Sequence, residues 1–225
     1  MPAQGTLRDG TAAGFELIET LRWEPGAGFV RLDRHLQRLH ASAHALGFAC
    51  DAEAIGEALS ECRGERAPLR VRLTLARDGK ANVTTAPFEP LAEGAVWRMR
   101  IATTRLHSTD PLLRHKTTRR AAYEAARAEF SREEADEVLL LNERGEVCEG
   151  TITNLFVDAG DGGPLLTPPL RCGLLAGVLR AELIDEGTAR EAIVTPSDLI
   201  DAKALFVGNS LRGLIRAKLA LEPSC

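Results

Sequence analysis

The sequence has no apolar run approaching the ~20 residues that a membrane-spanning helix needs. Its first residues, MPAQGTLRDGTAAG, contain no apolar stretch of the kind that marks a secretory leader. Neither a membrane partner nor export is expected. The five cysteines (Cys50, Cys62, Cys148, Cys172 and Cys225) are scattered and form no C-x-x-C pair. Neither a zinc ribbon nor a disulfide framework is indicated, and a reduced, cytoplasmic setting fits. There is no excess of positive charge. The 28 Lys+Arg against 32 Asp+Glu give a net charge of −4, so nucleic acid is not expected as the main partner. Also missing are a G-x-S-x-G elbow, a G-x-G-x-x-G turn, a G-x-x-x-x-G-K-[ST] loop, internal repeats and low-complexity tracts.

What is there is ordinary for a soluble globular chain of 225 residues: 44% hydrophobic and 27% charged, with enough material for a core. FELIETL (Phe15 to Leu21) reads as a strand and EPGAG (Glu24 to Gly28) as a turn. Leu32, Leu36, Leu39, Ala43 and Leu46 then fall on one helix face. Asp33 is placed to cap that helix and Gly47 to end it. LRVRLTLA and ANVTT flank the RDGK turn as a hairpin. APFEPLAEG (Ala86 to Gly94), rich in Pro and Gly and without periodicity, reads as a linker. Beyond it come a strand from Val96 to Thr104, an alanine-rich helix from Thr117 to Phe130, and a hairpin turning at Asn142 to Gly145. ITNLFVD is a further strand, and a Pro-rich loop precedes a helix that starts at Ala176-Gly177. TPSDLIDA carries a capping-box variant of Thr195, Pro196 and Asp198, and ALFVGNSLRG is a buried strand running into a polar loop. Hairpins mixed with helices predict an α+β fold in two lobes, residues 1–88 and 95–225.

His35, His40 and His44 share the first helix, and His40 and His44 have the spacing of a zinc pair. HASAH lacks the glutamate of H-E-x-x-H, so all three read as solvated residues of the polar face, and no metal is expected. The second half offers more. Glu149 ends a strand, a threonine loop follows, and small residues open a helix whose free N–H groups suit a phosphate. Gly208-Asn209-Ser210 adds a polar loop at a strand end. Upstream, in LRHKTTRRAAYEAAR, stands Lys116, a primary amine in a chain whose cations are mostly arginine. Amine, carboxylate and phosphate cradle together are what pyridoxal 5'-phosphate requires. The lysine forms the Schiff base, the acid keeps the ring nitrogen protonated, and the cradle binds the phosphate.

The run from Glu149 to Arg180 resembles the signature of the class IV aminotransferases, the fold-type IV pyridoxal-phosphate enzymes. EGTITNLF, the spaced LLT and the final LAGVLR match at the family's spacing, as does HLQRL (His35 to Leu39) in the first lobe. The resemblance implies a small N-terminal α/β lobe and a larger C-terminal lobe with a pseudo-barrel sheet, assembled as a homodimer. It makes Lys116 the Schiff-base lysine and Glu149 the partner of the pyridine nitrogen. Arg38 would bind the cofactor phosphate, with the backbone of Val178 and Leu179, Ser210 and Asn209. The tyrosine that often follows the family's lysine has only a shifted counterpart in Tyr123.

FELIETLRWEPGAGFVRLDRHLQRL, LRHKTTRRAAYEAAR and NSLRG look most like the family's 4-amino-4-deoxychorismate lyases, whose small anionic substrate has two carboxylates. Arg114, Arg119, Arg120 and Arg212 are candidates to meet them. A branched-chain or D-amino-acid aminotransferase and a non-catalytic relative are the alternatives.

Overall fold

The computed structural model describes residues 14–62 and 67–220; the expectations for the first thirteen residues and Cys225 lie outside them. In chain order the elements are β1 (Leu17–Glu24), β2 (Gly28–Phe29), α1 (Leu32–Leu46), α2 (Ala52–Ser60), β3 (Leu69–Leu75), β4 (Ala81–Pro87) and β5 (Val96–Leu106). There follow α3 (Ala121–Ala128), β6 (Glu137–Asn142), β7 (Val147–Gly150), β8 (Asn154–Asp158), β9 (Leu165–Thr167) and α4 (Val178–Asp185). The chain closes with β10 (Ala189–Glu191), α5 (Pro196–Asp201), β11 (Ala204–Asn209) and β12 (Gly213–Leu219).

The first sheet has the order β2-β1-β3-β4 and is antiparallel throughout. Alternation along its central strands sends Leu17, Leu21, Val71, Leu73 and Leu75 into one core with Leu39 and Ala43 of α1 and Ile55 and Leu59 of α2. Ile18, Thr20, Arg70 and Arg72 are left on the opposite face, toward the second sheet.

That second sheet is mixed and runs β10-β9-β8-β11-β12-β5-β6-β7. It curls into a half-barrel, as a hydrogen bond between its far ends and a tight turn from β7 to β8 show. Val147 at the β7 edge donates its N–H to the Val194 carbonyl just past β10 (2.8 Å), and Gly150 donates to the Thr153 carbonyl ahead of β8 (2.8 Å). β6 is buried on both faces: Leu139 and Leu141 join a core with Met99, Leu155, Val207 and Ile215, while Val138 and Leu140 pack toward Ala126 of α3. The two lobes form an α+β fold.

Several local expectations need correcting. Asp33 does not cap α1. The N-cap is Arg31, in a left-handed conformation (φ 58°) with no side-chain cap bond. Gly47 does end the helix, at φ 69°. The helix expected from Thr117 begins only at Ala121, because the residues before it are extended and pinned to β1. Ile18 donates its N–H to the Lys116 carbonyl (2.8 Å) and Thr118 donates to the Glu16 carbonyl (2.9 Å). The capping box is present: the Asp198 carboxylate accepts from the Thr195 N–H at 2.7 Å. Helix α2, capped by Asp51, and strand β12 were not expected.

Candidate active site

A cavity of about 500 Å³ lies between the two sheets. Ile18, Thr20, Arg70 and Arg72 line it from the first sheet, and Lys116, Glu149 and the turn Thr151–Thr153 line it from the other side. Lys116 is half-buried on the extended segment pinned to β1. Its amine is pushed down to about 8, first by loss of water and then by the guanidinium groups of Arg38 and Arg120. The preceding His115 is held by Ser42 of α1, 2.9 Å from its Nδ1.

Glu149 is buried at the end of β7. Its Oε1 accepts from the Tyr123 hydroxyl (2.7 Å) and the Leu175 N–H (3.0 Å), whereas Oε2 has one donor, Asn154 Nδ2 at 3.3 Å. Oε2 therefore retains room for another N–H. Burial pushes this carboxyl up to about 7, against the pull of the Tyr123 and Leu175 donors and of Lys116.

The turn after Glu149 is fixed by a second buried carboxylate, Glu137. Its oxygens accept from the Thr151 hydroxyl (2.6 Å) and N–H (2.9 Å), the Ile152 N–H (3.1 Å) and the Thr153 hydroxyl (2.7 Å). Gly150 has no space for a side chain: a Cβ there would come within 2.7 Å of the Glu137 carboxylate.

Arg38 lines the cavity from α1 and is tied to Glu19 of β1. Its Nε lies 2.8 Å from Glu19 Oε1 and its NH2 2.5 Å from Oε2, while NH1 donates to the Ala176 carbonyl at 3.2 Å. Three of the five donors of a guanidinium are thereby committed, and two remain for an anion. Glu19 is 1% exposed. Although burial raises its pKa, Arg38 and His35 hold it down at about 2. His35 is 1% exposed and bridges Glu19 Oε2 (2.6 Å from Nδ1) to Ser210 Oγ (2.8 Å from Nε2). This corrects its placement among solvated histidines. His40 is 3.3 Å from Cys50 Sγ, and among the described residues no group of His, Cys, Asp or Glu is arranged to hold a metal ion.

Of the residues singled out in the sequence, Arg38, Lys116, Glu149, Val178, Asn209, Ser210, Arg119, Arg120 and Arg212 all line the cavity. Arg114 does not. It ends the short helical turn Pro111–Arg114 with its side chain exposed, and Leu112, Leu113 and His115 border the cavity instead. Leu179 buries its side chain with Phe156, Leu183 and Ala189, so only its backbone N–H, in the unpaired first turn of α4, is available. The Asn209 side chain ties two loops together, donating to the Ile152 carbonyl (3.1 Å) and accepting from the Arg212 N–H (2.9 Å). A Cβ on Gly177, the N-cap of α4, would overlap Asn154 Oδ1, so this bend admits glycine alone. Glu19, Glu137, Arg70 and Arg72 were not anticipated.

The model of the class IV amino-transferase family matches residues 16–220. The chain belongs to this family. Class IV aminotransferases are pyridoxal-phosphate enzymes. A Schizosaccharomyces pombe protein assigned as an aminodeoxychorismate lyase is 30% identical over 198 residues, 85% of each chain. A Mesorhizobium loti structure assigned as an amino-acid aminotransferase is 62% identical, with a TM-score of 0.89, over 92% of this chain and all of that one. The structure of a 4-amino-4-deoxychorismate lyase from Pseudomonas aeruginosa is 27% identical, with a TM-score of 0.77, over 97% of this chain and 88% of that one. Among the described residues no helix is long and apolar enough to cross a membrane. The cavity suits the family's cofactor: it offers an amine, a carboxylate oxygen with spare capacity, two uncommitted guanidinium N–H groups and a helix start that only glycine can form.

Proposed function

We propose that this class IV enzyme is a 4-amino-4-deoxychorismate lyase, releasing pyruvate to leave 4-aminobenzoate on the route to folate. The observation that supports it is the charge of the cavity. Arg70, Arg72, Arg119, Arg120 and Arg212 line it beside Arg38, facing two acids among the described residues, Asp110 and Glu149. None of those five forms an ion pair with a described carboxylate. That is more guanidinium than a monocarboxylate needs and suits a substrate with two carboxylates.

In this reading Lys116 would hold the cofactor, Glu149 would accept the ring N–H, and Arg38, Ser210 and the N–H groups of Val178 and Leu179 would hold the phosphate. When bound, pyridoxal phosphate supplies an aldehyde for the substrate amine and a ring that accepts electrons from the neighbouring carbon. The protein supplies the rest. Tyr123, Leu175 and Asn154 orient Glu149. Glu137 fixes the turn beside it. Lys116 would be the base that takes the proton from the carbon bearing the substrate amine. With its pKa at about 8, roughly one lysine in ten is the neutral base at pH 7, against fewer than one in a thousand for an ordinary lysine. Arg70, Arg72, Arg119 and Arg212 receive the carboxylates. A homodimer belongs to the same reading, with light scattering on the eluted protein as its check.

Incubating the protein with aminodeoxychorismate tests this directly, and 4-aminobenzoate and pyruvate should appear in equal amounts. The second reading, an amino-acid aminotransferase, is favoured by the 62% identity to the Mesorhizobium loti structure. Consumption of 2-oxoglutarate with an amino acid, and none of aminodeoxychorismate, would establish that one instead.

A further inference from the structure

Helix α1 contributes two polar side chains to the buried face of the first sheet, and the mechanism above uses only Arg38. We propose that His35 is a positioning residue that works as an imidazolium when the cofactor is bound, so that Ser210 can give its hydroxyl proton to the phosphate. This rests on the family's cofactor and not on the lyase reading.

The proton bookkeeping follows from the contacts. Glu19 is ionised, being bound by Arg38 on both oxygens, so its carboxylate can only accept. Nδ1 of His35, 2.6 Å from Oε2, must then be the donor. One ring proton is fixed there, and only the state of Nε2 is open. It lies 2.8 Å from Ser210 Oγ. With Nε2 bare, the ring takes the serine proton, and Ser210 shows only lone pairs to the cavity that it lines. A phosphate dianion, which carries acceptors alone, would meet an acceptor. With Nε2 protonated, the ring donates to Oγ and the serine proton is free to point at the phosphate.

Charge points the same way. Glu19 and Arg38 cancel, so with a neutral His35 the cluster carries no net charge toward a dianion, whereas the imidazolium makes it +1. The other charged groups around this cluster are already engaged. Arg31 at the start of α1 binds Glu182 of α4 (2.6 Å) and the Ser210 carbonyl (3.3 Å). Lys116, which feels both Arg38 and Glu19, is the attachment point of the cofactor.

The test uses the full chain loaded with pyridoxamine 5'-phosphate, which has no aldehyde and so cannot join Lys116. Nitrogen-15 correlation spectra of the histidine rings should show one histidine protonated on both nitrogens and hydrogen-bonded on both. Its signals should vanish in His35→Gln or, should that variant not fold, be the set displaced in Ser210→Ala. Binding measured against pH supplies the second readout. Wild-type affinity should fall as pH rises. Ser210→Ala should bind about ten- to a hundredfold more weakly at low pH and lose most of that pH dependence, which a purely structural serine would leave in place. A bare Nε2 at His35 in the loaded protein overturns the proposal, as does a Ser210→Ala variant with the wild-type pH profile. If the wild-type protein does not bind pyridoxamine phosphate at all, the phosphate cradle itself fails, and His35 with it.

Discussion

The hydroxyl of Tyr123 donates to Glu149 Oε1 across 2.7 Å, joining α3 to the end of β7. Burial raises the phenol's pKa far above its usual range, so the group stays a donor at all working pH values. A donor of this kind stabilises the carboxylate, so Tyr123→Phe should raise the Glu149 pKa above about 7. The acidic limb of the pH–rate profile should then move upward, with turnover at neutral pH reduced about tenfold, as for a hydrogen bond to a charged group. An unmoved limb would mean that Glu149 does not depend on Tyr123.

Glu149→Gln should keep the cofactor and lose turnover. An amide cannot hold a ring nitrogen protonated, and the missing electrostatic stabilisation should cost about two to four orders of magnitude in kcat. Wild-type rates in that variant would reduce Glu149 to a structural acid.

Lys116 makes a pH prediction with a definite sign. Its folded pKa of about 8 lies below the ordinary 10.5. Capture of pyridoxal phosphate by the cofactor-free protein, measured by stopped flow, should therefore slow about tenfold per unit below pH 8 and level off above it. Between 8 and 10.5 the unfolded chain binds a proton that the folded chain does not, so this lysine makes stability rise with pH in that window. Below 8 the cost of burying the ammonium is complete. Lys116→Met should accordingly melt higher than the wild type at pH 7, both without cofactor, while being inactive and showing no covalent label after borohydride. Label elsewhere in the peptide map would refute the assignment.

Arg38 has a second role that alters the expected outcome of removing it. Arg38→Ala leaves the buried Glu19 carboxylate with His35 as its one remaining described partner, a loss of about 3–5 kcal/mol for a broken buried pair. Combining it with Glu19→Gln should restore most of the melting temperature and leave a cofactor affinity about ten- to a hundredfold weaker, rescued by excess pyridoxal phosphate. An undiminished melting temperature in the single variant would show that Glu19 does not need its partner.

Arg212 and Arg72 should behave differently. Arg212 is half-buried with its guanidinium near Phe88 and Trp97, and neither it nor Arg72 has a carboxylate partner among the described residues. Arg212→Ala and Arg72→Ala should raise KM for aminodeoxychorismate about ten- to a hundredfold while cofactor affinity stays put. A parallel fall in cofactor affinity would place these arginines at the phosphate.

The stretch from Glu149 to Arg180 was legible in the sequence because its parts are local: a strand end, a turn and a helix start follow one another and face the same space. Glu19 and His35 were not legible for the opposite reason. His35 stands three residues after Leu32 and four before Leu39, at the edge of the apolar stripe, but periodicity alone does not say what would pair with a buried imidazole. It is buried because a carboxylate arrives from β1 and a serine from the loop after β11. Arg70 and Arg72 illustrate the same limit, since the alternation of LRVRLTLA separates two faces without saying that the polar one meets a cavity. Two misses had usable signals. Asp51 ahead of Ile55 and Leu59 announces α2, and the alternation of exposed Leu214, Arg216 and Lys218 with buried Ile215 and Ala217 announces β12.

The backbone seam at Lys116 bears on how the molecule comes apart. Ile18 and Thr118 give their N–H groups across it to Lys116 and Glu16, so the small sheet cannot swing away without breaking the bonds that seat Lys116. The stretch Phe88 to Gly94, which follows β4 and leads to β5, cannot act as a hinge while that seam holds. Amide exchange at Ile18 and Thr118 should therefore be as slow as in the cores of the two sheets, and the lobes should unfold together. Any opening that admits substrate must come from the arginine-lined rim, leaving the floor of the cavity at rest.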